Sequence, residues 1–200
     1  MSDEREEFER LNASLLDETL REEYRRPLDG YCPSLLPRIL GGFLVACGNL
    51  VYGERPSYQK FRAVEVIARV PYHSWASAAF TLLTAFYADE RRAIRLTAIA
   101  RFARFASDNE TMHVVVVSKL ACAHEPAGFF RFTLVPMLFA FFYFWVSYWL
   151  YILSPRYALE INYLFENHAF EQYSRFLQEE GDTLRHRPIE SPFLAAYGRH

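Results

Sequence analysis

The chain has 200 residues, enough for one domain with a sizeable core. Its hydrophobic fraction, 52%, exceeds the roughly 45–50% of ordinary soluble domains, yet a mean hydropathy of −0.07 argues against a polytopic membrane protein. A net charge of −2, with both signs interspersed, leaves no basic patch to attract nucleic acid.

Residues 1–34 read as a polar N-terminal arm. Leu11, Leu15, Leu16, Leu20 and Tyr24 recur at helical spacing within residues 1–30, so a charged helix with some packing is expected. Met1 to Glu23 is acidic and polar, with neither the apolar core of a secretory signal nor the acid-poor look of a transit peptide. Pro33 and Pro37 predict a break. Leu35 to Val51 is apolar but short of the roughly 20 residues of a span, so an interfacial or a buried helix is expected. Residues 57–88 predict one helix, bent near Pro71. Residues 89–120 predict another, with Asp89 as N-cap and Ala93, Leu96, Ala100, Ala103 and His113 near one face. Pro126 and Gly128 mark the next connection.

Phe132 to Leu153 carries no charge, and its length suits a transmembrane helix or the buried central helix of a bundle. Tyr143, Trp145, Tyr148, Trp149 and Tyr151 decorate it as at a membrane interface. Residues 156–180 predict a last helix, stopped at Gly181, and 182–200 an irregular tail. Strand patterns are scarce, so the fold class is all-α. Cys32, Cys47 and Cys122 form no CxxC pair and read as buried small hydrophobes.

Glu110 and His113 stand at i and i+3, one above the other on a helical face, ahead of an apolar run from Val114 to Val117. In di-iron carboxylate bundles two helices each supply such a Glu-x-x-His pair and two others each supply a Glu. A buried carboxylate without a partner is costly, and a metal removes that cost. Glu65 sits among Phe61, Ala63, Val64, Val66 and Ile67; a salt bridge to Arg62 or Arg69 is the plain alternative to metal binding there. Glu166 and His168 are about 200° apart on a helix, and spacing alone does not choose between them. Tyr173 lies two turns beyond Glu166, either as an ordinary tyrosine of an amphipathic helix or as a group that bonds a substrate or passes an electron.

Four ordered segments carry a resemblance. They are Val64-Glu-Val-Ile-Ala-Arg-Val-Pro-Tyr72, Asn109-Glu-Thr-Met-His113, Leu150-Tyr-Ile-Leu-Ser-Pro-Arg156 and Phe165-Glu-Asn-His-Ala-Phe-Glu-Gln-Tyr-Ser-Arg-Phe-Leu177. Over residues 35–200 the chain resembles the plastid terminal oxidases, the plastoquinol-oxidising branch of the alternative oxidases. The resemblance implies a ferritin-like di-iron four-helix bundle with interfacial membrane-binding helices, occupying 35–200. It implies Glu65, Glu110, His113 and Glu166 as ligands of two iron ions, and so resolves the choice between Glu166 and His168. Lys60, where the family usually has Arg, Ala169 and Tyr173 fall on quinone-pocket positions. Tyr173 is also the family's tyrosine for oxygen reduction.

Val66 departs from the family's Thr. The family's last helix, with its Asp-Glu-Ala-x-His block, is missing from the expected bundle, and His186 and His200 do not replace it. Four of six ligands are thus expected here. The implied activity is quinol:oxygen oxidoreduction on one leaflet of a thylakoid or other plastid-type membrane, with plastoquinol or ubiquinol and O2 as substrates and a homodimer as the family's usual state. Two other readings stand beside it: an inactive fragment that binds membrane or a partner, and a single-span protein whose Glu-x-x-His is coincidental.

Overall fold

The computed structural model describes residue 13 and residues 17–28, 30–122 and 128–186. The chain divides into two units between Pro33 and Ser34. In the first, helix α1 (Glu18–Arg25) starts where the Asp17 carboxylate accepts from the backbone N–H groups of Thr19 and Leu20, at 2.9 and 3.2 Å. A single 3₁₀ turn, Arg26–Leu28, follows. Leu20 is exposed. Leu11, Leu15, Leu16 and the side chain of Tyr24 lie outside the described residues.

The regular elements among the second unit's described residues are all helices: α2 (Leu35–Tyr52), α3 (Tyr58–Ala68), α4 (Val70–Phe86), α5 (Glu90–Cys122), α6 (Val135–Leu153, led by a π turn at Phe130–Leu134) and α7 (Pro155–Arg185). The expected all-α class is what the chain adopts. Helices α3 and α4 form the middle, packed on α5 and on α6; α7 packs on α6 and on α2.

Small residues set the spacing. Ala63, Ala78, Ala79 and Ala103 are wholly buried, which lets backbones approach closely, while Tyr72, Trp75 and Tyr151 fill the volume between them. Gly41 serves the same end between α2 and α7: a Cβ there would meet Leu164 Cδ1 at 3.1 Å.

Each boundary has a local cause. Ser57 caps α3 by accepting from the Lys60 N–H at 3.2 Å, and Asp89 caps α5 by accepting from the Arg92 N–H at 3.1 Å. The predicted bend near Pro71 is a break at Arg69, where α3 ends and α4 begins. Pro71 has no N–H for the Ile67 carbonyl, and the flanking bonds are long: 3.5 Å from Arg69 N–H to Glu65 O and 3.4 Å from His73 N–H to Arg69 O.

Several expectations are corrected. Pro37 does not break the chain; it sits buried in the first turn of α2, where no intrahelical donor is needed. Gly181 does not stop α7, which runs to Arg185. It has no positive φ to turn the chain, and a glycine inside a helix costs only about 1 kcal/mol. The irregular tail therefore starts later than expected; residues 187–200 lie outside the described set. Cys32, in the extended link before α2, is exposed rather than buried, and Cys47 is half-buried.

Helix α6 is not buried on all sides. It turns Tyr143, Ser147 and Tyr151, at i, i+4 and i+8, into the core and leaves Phe141, Phe142, Trp145 and Trp149 exposed. Helix α2 likewise exposes Leu36, Ile39, Phe43 and Leu50 along one stripe. Leu35–Tyr52 and Phe130–Leu153 are both long and apolar enough to cross a membrane by length and composition.

Candidate metal centre

Glu65 comes from α3, just before the break, and Glu110 and His113 come from the middle of α5. Packing of α3 along α5 brings the three together. One ligand atom from each can be chosen so that all lie within 4.8 Å of one another. His113 Nδ1 is 3.2 Å from Glu110 Oε2 and 3.9 Å from Glu65 Oε2. The site is graded in depth: the side chains of Glu65, Glu110 and His113 are 7%, 14% and 41% exposed. Its open edge is thus the imidazole.

Electrostatics follow from that grading. Burial pushes the Glu65 carboxyl up to about 7; the hydrogen bond from Tyr173 opposes this and the Glu110 carboxylate adds to it. Burial also acts on Glu110, but hydrogen bonds from His113 and Glu65 outweigh it and hold Glu110 below the usual carboxylate range. The bond to Glu110 raises His113 against its own partial burial. Glu65 and His113 are thus shifted toward their protonated forms, and Glu110 toward its carboxylate.

The donors suit a metal ion. Glu65 Oε2 is buried and accepts no hydrogen bond among the described residues, yet it faces His113. A cation there would satisfy that oxygen and remove the repulsion between two carboxylates. Two hard oxygens and one imidazole nitrogen match non-haem iron with positions left open. The salt bridge from Glu65 to Arg62 or Arg69 does not form among the described contacts; Glu65 points inward instead.

Glu166 lies apart from this group. It sits on α7, where Oε1 accepts from the Tyr72 hydroxyl at 2.7 Å and from Asn162 Nδ2 at 3.4 Å. Burial raises it, the Tyr72 bond lowers it, and the Glu110 charge raises it again, so the carboxylate feels the cluster without joining it. His168, its rival by sequence, is half-buried and held low by burial and by the Lys60 charge. His186 ends α7, its Nδ1 donating to the Asp182 carbonyl at 2.8 Å, and His200 lies outside the described residues.

Tyr173 reaches across from α7: its hydroxyl donates to Glu65 Oε1, and its ring stacks on Phe61 at 4.2 Å. Burial and the Glu65 charge raise the phenol well above its ordinary value. A cavity of about 160 Å³ opens between α2, α3, α6 and α7. Lys60, Ala169 and Tyr173 all line it, as does Glu65. The Lys60 ammonium is committed elsewhere. It donates to Asn49 Oδ1, the Gly53 and Glu54 carbonyls and Gln172 Oε1, at 3.0, 2.8, 3.3 and 3.3 Å. Burial lowers its pKa. Lys60 thereby ties the end of α2 to α3 and α7.

Sequence reading missed Tyr72, Asn162 and Gln172. A signal for Tyr72 was present: it stands seven residues after Glu65, as Tyr173 stands seven after Glu166.

A helical bundle in which two carboxylates and an imidazole from two helices converge is of the class that can hold a metal on carboxylates. The model of the alternative oxidase family matches residues 38–195, and the chain belongs to that family. It is 35% identical over 140 residues to ubiquinol oxidase 4, chloroplastic/chromoplastic, of Arabidopsis thaliana, a match over 70% of this chain and 37% of that relative. The chain therefore spans little more than a third of the curated relative's length. The chloroplast-type relative agrees with the plastid branch that the motifs resemble. No solved structure matches.

Proposed function

We propose that this chain is a membrane-bound quinol:oxygen oxidoreductase that draws electrons from plastoquinol or ubiquinol and reduces O2 to water at a di-iron site. The observation that carries the reading is the double position of Glu65. Its carboxylate belongs to the donor cluster with Glu110 and His113, and its side chain also forms a wall of the apolar cavity beside Tyr173. A lipid-soluble reductant in that cavity would stand beside a carboxylate of the donor cluster.

Glu65, Glu110 and His113 would hold one ion, and Glu166, with donors beyond this set, would serve a second. Iron bound there supplies the electron transfer to oxygen that no side chain provides. The protein's part is to place and shield. Tyr173, with its hydroxyl on Glu65 Oε1 and its ring on Phe61, would be the contact through which an electron passes from quinol toward a metal held by Glu65. Ala169 leaves room for the ring of the quinol, and Lys60 closes the end of the cavity by binding α2 to α3 and α7.

Helices α2 and α6 wall the cavity and expose apolar stripes, which supports docking on one leaflet of a plastid-type bilayer. A homodimer is the assembly we assign by analogy with the family. The test is iron per chain together with quinol-dependent oxygen uptake on liposomes, for the wild type and Glu110→Ala. About two irons per chain and uptake, both lost in the variant, are expected. A folded chain with neither iron nor uptake rejects the oxidase and leaves a membrane- or partner-binding scaffold.

A further inference from the structure

Two helices carry the same spacing of carboxylate and phenol. Glu65 and Tyr72 are seven residues apart on α3–α4, and so are Glu166 and Tyr173 on α7. Seven residues are two turns, roughly 10.5 Å along an axis. The hydrogen bonds are crossed: Tyr173 donates to Glu65, and Tyr72 donates to Glu166. Such crossing requires the two elements to pass antiparallel, each phenol level with the other's carboxylate.

We propose that Tyr72 is a positioning residue for Glu166, the counterpart of Tyr173 at Glu65, and that with Asn162 it orients the Glu166 carboxylate for metal. Three observations carry this. The Tyr72 hydroxyl is committed on both sides, donating to Glu166 Oε1 at 2.7 Å and accepting from Asn162 Nδ2 at 3.0 Å. Only Oε1 is engaged; Glu166 Oε2 accepts no hydrogen bond among the described residues, which leaves it as the free donor atom. The Tyr72 ring is itself fixed, buried and edge-on to Trp75 at 5.4 Å and to Phe102 at 6.3 Å. The break at Arg69 with Pro71 sets the direction from which Tyr72 enters. An outer partner of this kind fixes a ligand's orientation and commonly contributes a factor of roughly 10–100 in metal affinity.

The inference rests on the metal-site reading above. Its test uses the full chain, stripped of metal and titrated anaerobically with ferrous ion alone against a competing chelator. Tyr72→Phe keeps the ring in its packing and removes only the hydroxyl. We expect roughly 10–100-fold weaker iron binding, with the metal-free protein still folded and its unfolding temperature lowered only as far as the lost hydrogen bonds require. Asn162→Leu should weaken binding in the same direction, and it stands in should Tyr72→Phe fail to fold. In a Glu166→Gln background, either change should cost less than about twofold, because its route is gone. Iron binding in the wild type with no loss in either variant, or with the same loss in both backgrounds, overturns the role of Tyr72 alone. No ferrous binding by the wild type overturns the metal-site reading and this inference with it.

Discussion

The two carboxylate–phenol pairs share a spacing and a cavity, which both Glu65 and Glu166 line, and differ in what else gathers at each carboxylate. Glu65 with Tyr173 is buried, touches Glu110 and His113, and forms a wall of the cavity. Glu166 with Tyr72 lies on the other level, keeps an exposed face, and belongs to no three-donor group among the described residues. The reason is the neighbour. Helix α5 brings Glu110 and His113 to the level of Glu65, so one carboxylate joins a three-donor cluster that could hold a metal and the other stays outside it. Equivalent sequence spacing therefore does not confer equivalent chemistry; the third helix decides.

The largest effect should come from Glu65→Gln. It keeps shape and burial but removes the carboxylate common to cluster and cavity. Ferrous binding should fall by more than the roughly 10–100-fold typical of an outer partner, measured by chelator competition. Glu166→Gln should cost less, since three donors remain gathered. Equal losses would erase the distinction between the two pairs.

Tyr173→Phe comes next. The ring should stay on Phe61 and the protein fold as before, but a hydrogen bond to a charged group is lost, worth about 1.5–3 kcal/mol. Quinol-dependent oxygen uptake should fall by roughly 10–100-fold. In Tyr72→Phe, uptake should fall only in proportion to lost iron. Rates normalised to bound iron separate a conducting phenol from a positioning one.

A third comparison is stability against pH in the metal-free protein. Glu65 is raised to about 7 in the folded chain from an ordinary 4.5, so the folded state binds more protons between those values. Its contribution is full below the unfolded value and is lost as pH rises through about 7. The raised His113 acts in the same direction, stabilising at low pH and losing that contribution as pH rises; the depressed Glu110 acts in the opposite one, losing its contribution as pH falls. Denaturant midpoints from pH 4.5 to 8 should drop less steeply in Glu65→Gln than in the wild type. Parallel curves would mean that Glu65 is not the dominant group.

The smallest expected effect lies on the exposed apolar surface. Trp149 stands 56% exposed on the outer face of α6. Trp149→Glu should weaken liposome binding by about 1.5 kcal/mol or more, roughly tenfold, while leaving ferrous affinity unchanged. A loss of iron together with membrane binding would show that the outer face supports the site rather than the lipid contact.

Much of this was legible in residues alone. Local rules placed the helices, because caps such as Asp89 act within one turn and apolar periodicity is set by the helix itself. The Glu110–His113 pair was readable for the same reason: i and i+3 share a face before any packing occurs. The mistakes were also local in origin. Pro37 and Gly181 look like punctuation, yet a first-turn proline lacks only a donor the helix does not use, and a glycine without positive φ lets a helix run on. What the order of residues could not settle was which distant groups meet. Glu65 could have paired with Arg62 or Arg69 one turn away, but burial of α3 turned it toward His113 and Tyr173. Lys60 was expected in the quinone pocket; it lines the cavity, and its ammonium donates to four acceptors of its own protein, which residue order did not reveal. The crossing of Tyr72 and Tyr173 depends on two elements lying antiparallel, a relation between segments about 100 residues apart. Such partners are chosen by the packing of whole helices, where burial makes an unmatched carboxylate costly and so compels it to find whatever donor the fold brings near.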